Sequence, residues 1–134
     1  MGKLMDFLME HKAETATTQV EISGFPHPFV VKSITEGENK QLRQSCQTVS
    51  FDKKTHQKTV ETNQDLYYNR LVAACCVEPN FKDAELQKRY GMMGAEALID
   101  KLLLPGQFID LFLAVQEVNG FSTDMNELRD EAKN

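Results

Sequence analysis

The three histidines, three cysteines and acidic pairs of this chain are the residues whose types could do chemistry. Their spacing argues against each kind of chemistry in turn. His11 lies in an N-terminal segment, and His27 and His56 fall in predicted turns. None shares a helix face with another ligand at His-x-x-x-His or Cys-x-x-Cys spacing, which a preformed metal site would need. A cysteine nucleophile needs a histidine nearby and an electropositive setting to hold the thiolate. Cys75 and Cys76 instead fall on the apolar side of a predicted helix, where burial is the better account. They are adjacent and diverge by about 100° on a helix, so a mutual disulfide is not expected. The pairs Glu36/Glu38 and Asp83/Glu85 sit in predicted first helical turns, where negative charge complements the helix dipole, and Asp130/Glu131 lies in the tail. Gly91-Met-Met-Gly94 lacks the Lys-Ser/Thr and preceding strand of a phosphate loop. No residue is therefore assigned a catalytic, cofactor-binding or metal role.

The elements behind these residues are organised by the stretch Tyr67–Gly120, which predicts four helices in succession. Thr62-Asn-Gln-Asp65 has the pattern of a capping box, with Thr62 as N-cap. Two rows follow at i, i+4 spacing, Tyr67/Leu71/Cys75 and Tyr68/Val72/Cys76, ending at Glu78-Pro79. A short helix over 83–90, capped by Asn80 or Asp83, shows Leu86 and Tyr90 on one face and stops at Gly91. A third starts near Gly94 with Ala95, Leu98, Ile99, Leu102 and Leu103 inward. Pro105 opens a fourth, carrying Phe108, Leu111, Phe112, Val115 and Val118 inward, with Ile109 and Leu113 widening that face and Asn119-Gly120 closing it.

The N-terminal half reads differently. Residues 3–12 predict an amphipathic helix with Leu4, Phe7 and Leu8 on one face and Met1, Met5 and Met9 beside it. It either packs on its own domain or serves as a partner-binding arm on the polar tether 13–18. Residues 19–23 and 29–34 predict a hairpin across Gly24-Phe-Pro-His-Pro28, with a loop of about five residues. Thr35-Glu-Gly-Glu38 is a second capping box, opening a helix to about Gln47 with Leu42 and Cys46 inward. Residues 48–51 and 58–61 predict another hairpin, with Val49, Phe51 and Val60 pointing into a small antiparallel sheet covered by helices. The fold class expected is α+β. Residues 1–18 form an arm and tether, 19–121 one domain with Phe121 tucking back onto its core, and 122–134 a charged, frayed tail.

The 134 residues suffice for one core without disulfide or metal, and their 41% hydrophobic and 26% charged composition is that of an ordinary globule. A net charge of −5 argues against nucleic-acid binding, because phosphate contacts need clustered Lys and Arg. The one basic cluster, Lys53-Lys54 through Lys58, reads as a solvated hairpin tip. No leader or membrane-spanning run is visible, and the cysteines read as reduced, so a cytoplasmic setting and no membrane partner are expected. Met92 and Met93, two flexible apolar residues in a short turn, either plug the core or form a surface contact.

Several segments resemble the XkdN-like tail assembly chaperones encoded in phage and prophage tail modules. These are Phe29-Val-Val-Lys-Ser-Ile-Thr-Glu-Gly-Glu, Tyr68-Asn-Arg-Leu-Val-Ala-Ala-Cys-Cys-Val-Glu-Pro-Asn-Phe, Tyr90-Gly-Met-Met-Gly-Ala-Glu-Ala-Leu, Leu103-Leu-Pro-Gly-Gln-Phe and Val118-Asn-Gly-Phe121. The resemblance covers most of 29–121. It implies a non-enzymatic chaperone, without cofactor, that binds the long tape measure protein before the tail tube polymerises around it. The tail tube protein is a second candidate partner and homo-oligomerisation a further one. The candidate contact residues are Leu4, Phe7, Leu8, Met92 and Met93. The alternatives are a tail or head–tail connector component retained in the virion, a small thiol enzyme, and, disfavoured by charge, a nucleic-acid binder.

Overall fold

A computed structural model describes residues 2–11 and 14–121. The fold is α+β, as the sequence pattern predicts. The first helix, α1 (Lys3–Glu10), precedes a sheet strand β1 (Thr17–Val20), which pairs antiparallel with β2 (Phe29–Lys32). Helix α2 (Glu36–Ser45) leads into the hairpin β3 (Gln47–Phe51) and β4 (Lys58–Thr62). Then come α3 (Gln64–Cys75), β5 (Cys76–Glu78), α4 (Ala84–Arg89), α5 (Ala95–Leu102) and α6 (Pro105–Val118). Among the described residues there are two separate sheets: a three-stranded one in the order β1-β2-β5, and the two-stranded hairpin β3-β4.

Helix α3 is the centre of the core. Its Leu71, Val72 and Cys75 are fully buried, and it packs against α2, α5 and α6. From α5 come Leu98 and Ile99, from α6 Leu111 and Val115, and from the sheet Val31 of the central strand β2. Burying the larger of these aliphatic side chains contributes roughly 1.5–3 kcal/mol each, which is why the helices hold one arrangement. The capping chemistry at the joints is as read for Thr35, whose Oγ1 accepts the Glu38 N–H at 3.2 Å, and for Asp83, whose Oδ1 accepts the Leu86 N–H at 2.9 Å. Pro105 stands at the start of α6, and Gly91 and Gly94 have φ of 68° and 96°.

Several expectations are corrected. The N-cap of α3 is Asn63, whose Oδ1 accepts the Leu66 N–H at 3.1 Å; Thr62 is the last residue of β4. Helix α3 does not run on to Cys76. Residues 76–78 turn extended ahead of Pro79 and add a third strand to β2, with Val31 opposite Cys76. The central strand then has a partner on each side, which its buried main chain requires. Strand β1 begins two residues earlier than the alternation suggests, so the connection to β2 spans 21–28, and Ile22 enters the core from that loop. Tyr90, Ile109 and Leu113, expected inward, are exposed, because the neighbours cover a narrower stripe of each helix than its apolar residues span. Phe81, in the loop before α4, is the largest fully buried side chain and carries no periodic signal.

The second hairpin departs furthest from expectation. Val49, Phe51 and Val60 are 61%, 61% and 50% exposed, and among the described residues no helix packs substantially against this hairpin. Nor does α1 pack on the domain: none of its residues is buried, and it makes no substantial packing with another element. Phe121 does rest against the core, its N–H donating to Gln116 O at 2.8 Å, while the tail at 122–134 lies outside the described residues.

Candidate partner-binding site

The residues with chemical potential are occupied structurally. Cys46, Cys75 and Cys76 are all buried. Burial pushes the Cys76 thiol up to about 12, helped by the nearby Glu78 carboxylate. Burial likewise raises the Cys75 thiol, partly offset by a hydrogen bond from Asn119 Nδ2 at 3.5 Å. A thiolate is thus disfavoured at both. Cys46 Sγ lies 3.9 Å from the Arg70 guanidinium, but that group is already committed. Its Nε meets Glu96 Oε1 at 2.8 Å, and its Nη1 donates to Ser45 O and Oγ, each at 2.9 Å, bolting α3 to α5 and to the end of α2. Main-chain and Arg70 hydrogen bonds together hold the Glu96 carboxyl below its usual range.

The buried Tyr67 hydroxyl donates to Asn39 Oδ1, and Asn39 Nδ2 donates to Glu36 Oε1 at 3.1 Å, a closed structural relay. All three histidines are exposed. Among the described residues, no three His, Cys, Asp or Glu side chains stand close enough to hold a metal ion, and no helix is long and apolar enough to cross a membrane.

What the molecule does present is uncovered apolar surface. On α1, Leu4, Phe7 and Leu8 share one side and are 70%, 54% and 59% exposed. Their helix has local ties: Phe7 stacks on the His11 ring at 4.5 Å between centroids, and the Phe7 carbonyl meets His11 Nδ1 at 3.1 Å. Eight helical residues are marginal alone in water, so α1 gains most from a second surface.

The turn between α4 and α5 divides its two methionines. Gln87 builds it, accepting the Gly94 N–H on Oε1 at 3.1 Å and donating from Nε2 to Phe81 O at 2.9 Å. Met92 N–H returns to Gln87 O at 2.9 Å. Within that frame Met92 packs partly against the core, whereas Met93 is 94% exposed. Met92 thus fills space beside the core, and Met93 lies on the surface. The arm and the turn each carry apolar surface, and among the described residues no substantial packing joins α1 to α4 or α5. A third patch, the β3-β4 face, was missed as a surface because its alternation is that of any half-buried strand.

Comparison with known proteins places these features in context. The family model for the phage XkdN-like tail assembly chaperone protein matches residues 4–133. Two relatives come from Bacillus subtilis strain 168. The uncharacterized protein YqbN is 28% identical over 116 residues, covering 86% of this chain and 77% of the relative. The phage-like element PBSX protein XkdN is 24% identical over 126 residues, covering 93% and 84%. The crystal structure of YqbN superposes with a TM-score of 0.72 at 22% identity, over 90% of this chain and 98% of that one, which shows a shared fold.

Proposed function

This chain belongs to the XkdN-like phage tail assembly chaperone family, and from that premise we propose that it binds the tape measure protein during tail morphogenesis. The binding is non-covalent and needs no cofactor, and it takes place in the host cytoplasm before the tail tube is built. The contact surface is the Leu4/Phe7/Leu8 side of α1 together with the Met92-Met93 turn, chiefly Met93. The tail tube protein is a second partner on this reading.

The observation that carries it is the uncovered α1. A long apolar helical chain in the cytosol needs its exposed faces shielded, and a short amphipathic helix on an acidic, soluble domain supplies a matching face. Methionine suits this role, because its flexible thioether adapts to varied helix surfaces.

The test is co-purification of the full chain with tape measure protein. Phe7 and Leu8 are each about half exposed, so docking them is worth roughly 1 kcal/mol apiece. Phe7→Asp with Leu8→Asp should therefore weaken binding by about 30-fold or more while the fold is kept. Undiminished co-purification would remove the arm from the interface. Protein analysis of purified virions separates a chaperone, which is absent from them, from a retained tail component.

A further inference from the structure

We propose that the β3-β4 hairpin is a self-association element, through which two copies of this chain join their β3 edges into one four-stranded antiparallel sheet. The hairpin stands apart from the core as a two-stranded sheet, an arrangement only marginally stable in water without a further strand or a covering layer. Its five cross-strand pairs, from Gln47–Thr62 to Phe51–Lys58, run without a bulge, so the edge is straight.

The direction of the main chain identifies the free groups. Asn63 N–H donates to Cys46 O at 2.8 Å, and Asp52 N–H donates to Gln57 O at 2.9 Å. Antiparallel ladders alternate, so Thr48 and Ser50 also turn their main-chain groups towards β4. Gln47, Val49 and Phe51 then turn their N–H and C=O groups outward, along an edge where every residue is exposed. That edge carries none of the usual guards. Gln-Thr-Val-Ser-Phe has no charge and no proline, whereas β4 carries Lys58 and Glu61.

A second copy fits this edge in one best register. A two-fold axis through Val49 sets Val49 opposite Val49 of the other copy and Gln47 opposite Phe51. All three outward-facing residues are then used, giving about six new main-chain hydrogen bonds. A one-residue slip would set Val49 beside Ser50 and mix the faces. In the favoured register Val60 and Val49 of each copy form a continuous valine row across the four strands, flanked by both Phe51 rings. The opposite face, with Thr48, Ser50, Thr59 and Glu61, is polar and stays wet. No like charges meet across the joined edges, because β3 has none. The symmetry is closed, so association stops at the dimer.

Sedimentation velocity on the full chain over a dilution series tests this, with circular dichroism confirming the fold of each variant. The parent is expected to sediment as a dimer at micromolar concentrations. Val49→Lys puts two like charges on the axis and should weaken dimerisation by at least about tenfold. Thr59→Lys, on the far strand, should leave it unchanged. As a measurement that does not depend on a destabilising change, Val49→Cys should form an inter-chain disulfide under mild oxidation, because paired Cα atoms there are about 5.5 Å apart. Thr59→Cys should not. A parent that stays monomeric, a Val49→Lys variant that dimerises like the parent, or equal cross-linking at both positions would overturn the proposal. So would a β3 edge protected from amide exchange only when tape measure protein is added, which would assign the edge to that partner.

Discussion

Asn119 offers the sharpest test of how the core is tied together. Its Oδ1 accepts the Ile34 N–H at 2.9 Å across 85 residues of sequence, while its Nδ2 donates to Val115 O at 2.8 Å and lies 3.5 Å from Cys75 Sγ. One side chain thus joins the exit of β2, the end of α6 and the end of α3. Asn119→Ala leaves the partly buried Ile34 N–H without its acceptor, at a cost of about 1–1.5 kcal/mol, towards the low side for a fully buried orphan. The Val115 carbonyl keeps the Asn119 N–H at 3.2 Å, so losing the side-chain donor there adds only about 0.5–1 kcal/mol. The sum, about 1.5–2.5 kcal/mol, corresponds to a fall in Tm of about 5–9 °C, given an unfolding entropy of about 0.28 kcal/mol/K for a chain of 134 residues. Urea unfolding should show the same loss with an unchanged slope, and the Ile34 amide should exchange faster than its neighbours. A loss below about 0.5 kcal/mol would refute the reasoning, because it would mean that solvent replaces Asn119 without cost.

Core and rim should respond in opposite ways. Leu98→Ala empties a fully buried position on α5 and should cost about 3 kcal/mol in urea titration, whereas Ile109→Ser, at a position 55% exposed on α6, should stay within about 0.5 kcal/mol. Thiol labelling is the second contrast. The folded chain should react slowly at pH 7 to 9, because burial shields the sulfurs, raises the Cys75 thiol and pushes the Cys76 thiol up to about 12. Full denaturant should expose all three thiols at once, and rapid labelling of the native protein would contradict the burial reading.

The sequence by itself determined the helices, the core of the inner rows of α3, α5 and α6, and most of the helix ends. Helix periodicity is local, and so are the signals at Thr35, Asp83, Gly91, Pro105 and Asn119-Gly120, where a cap or stop acts within about one turn of itself. The cysteines' burial was also legible, since Cys75 sits in the row with Tyr67 and Leu71. The resemblance to tail chaperones was carried by residues 29–121, which the family match contains.

Only the tertiary structure decided which apolar residues are covered. Val49, Phe51 and Val60 alternate like a core strand, yet all three are exposed, and Leu4, Phe7 and Leu8 form a good inner face that no other element of the described residues covers substantially. Periodicity reports that a face is apolar, but whether it is buried depends on where distant elements come to rest. The same reason hid β5, whose three residues are extended because β2 offers them hydrogen bonds, and Phe81, which is buried in the core without any pattern of its own. Asn119 was legible as a helix stop, but its bond to Ile34 exists only because folding brings the end of α6 against the end of β2.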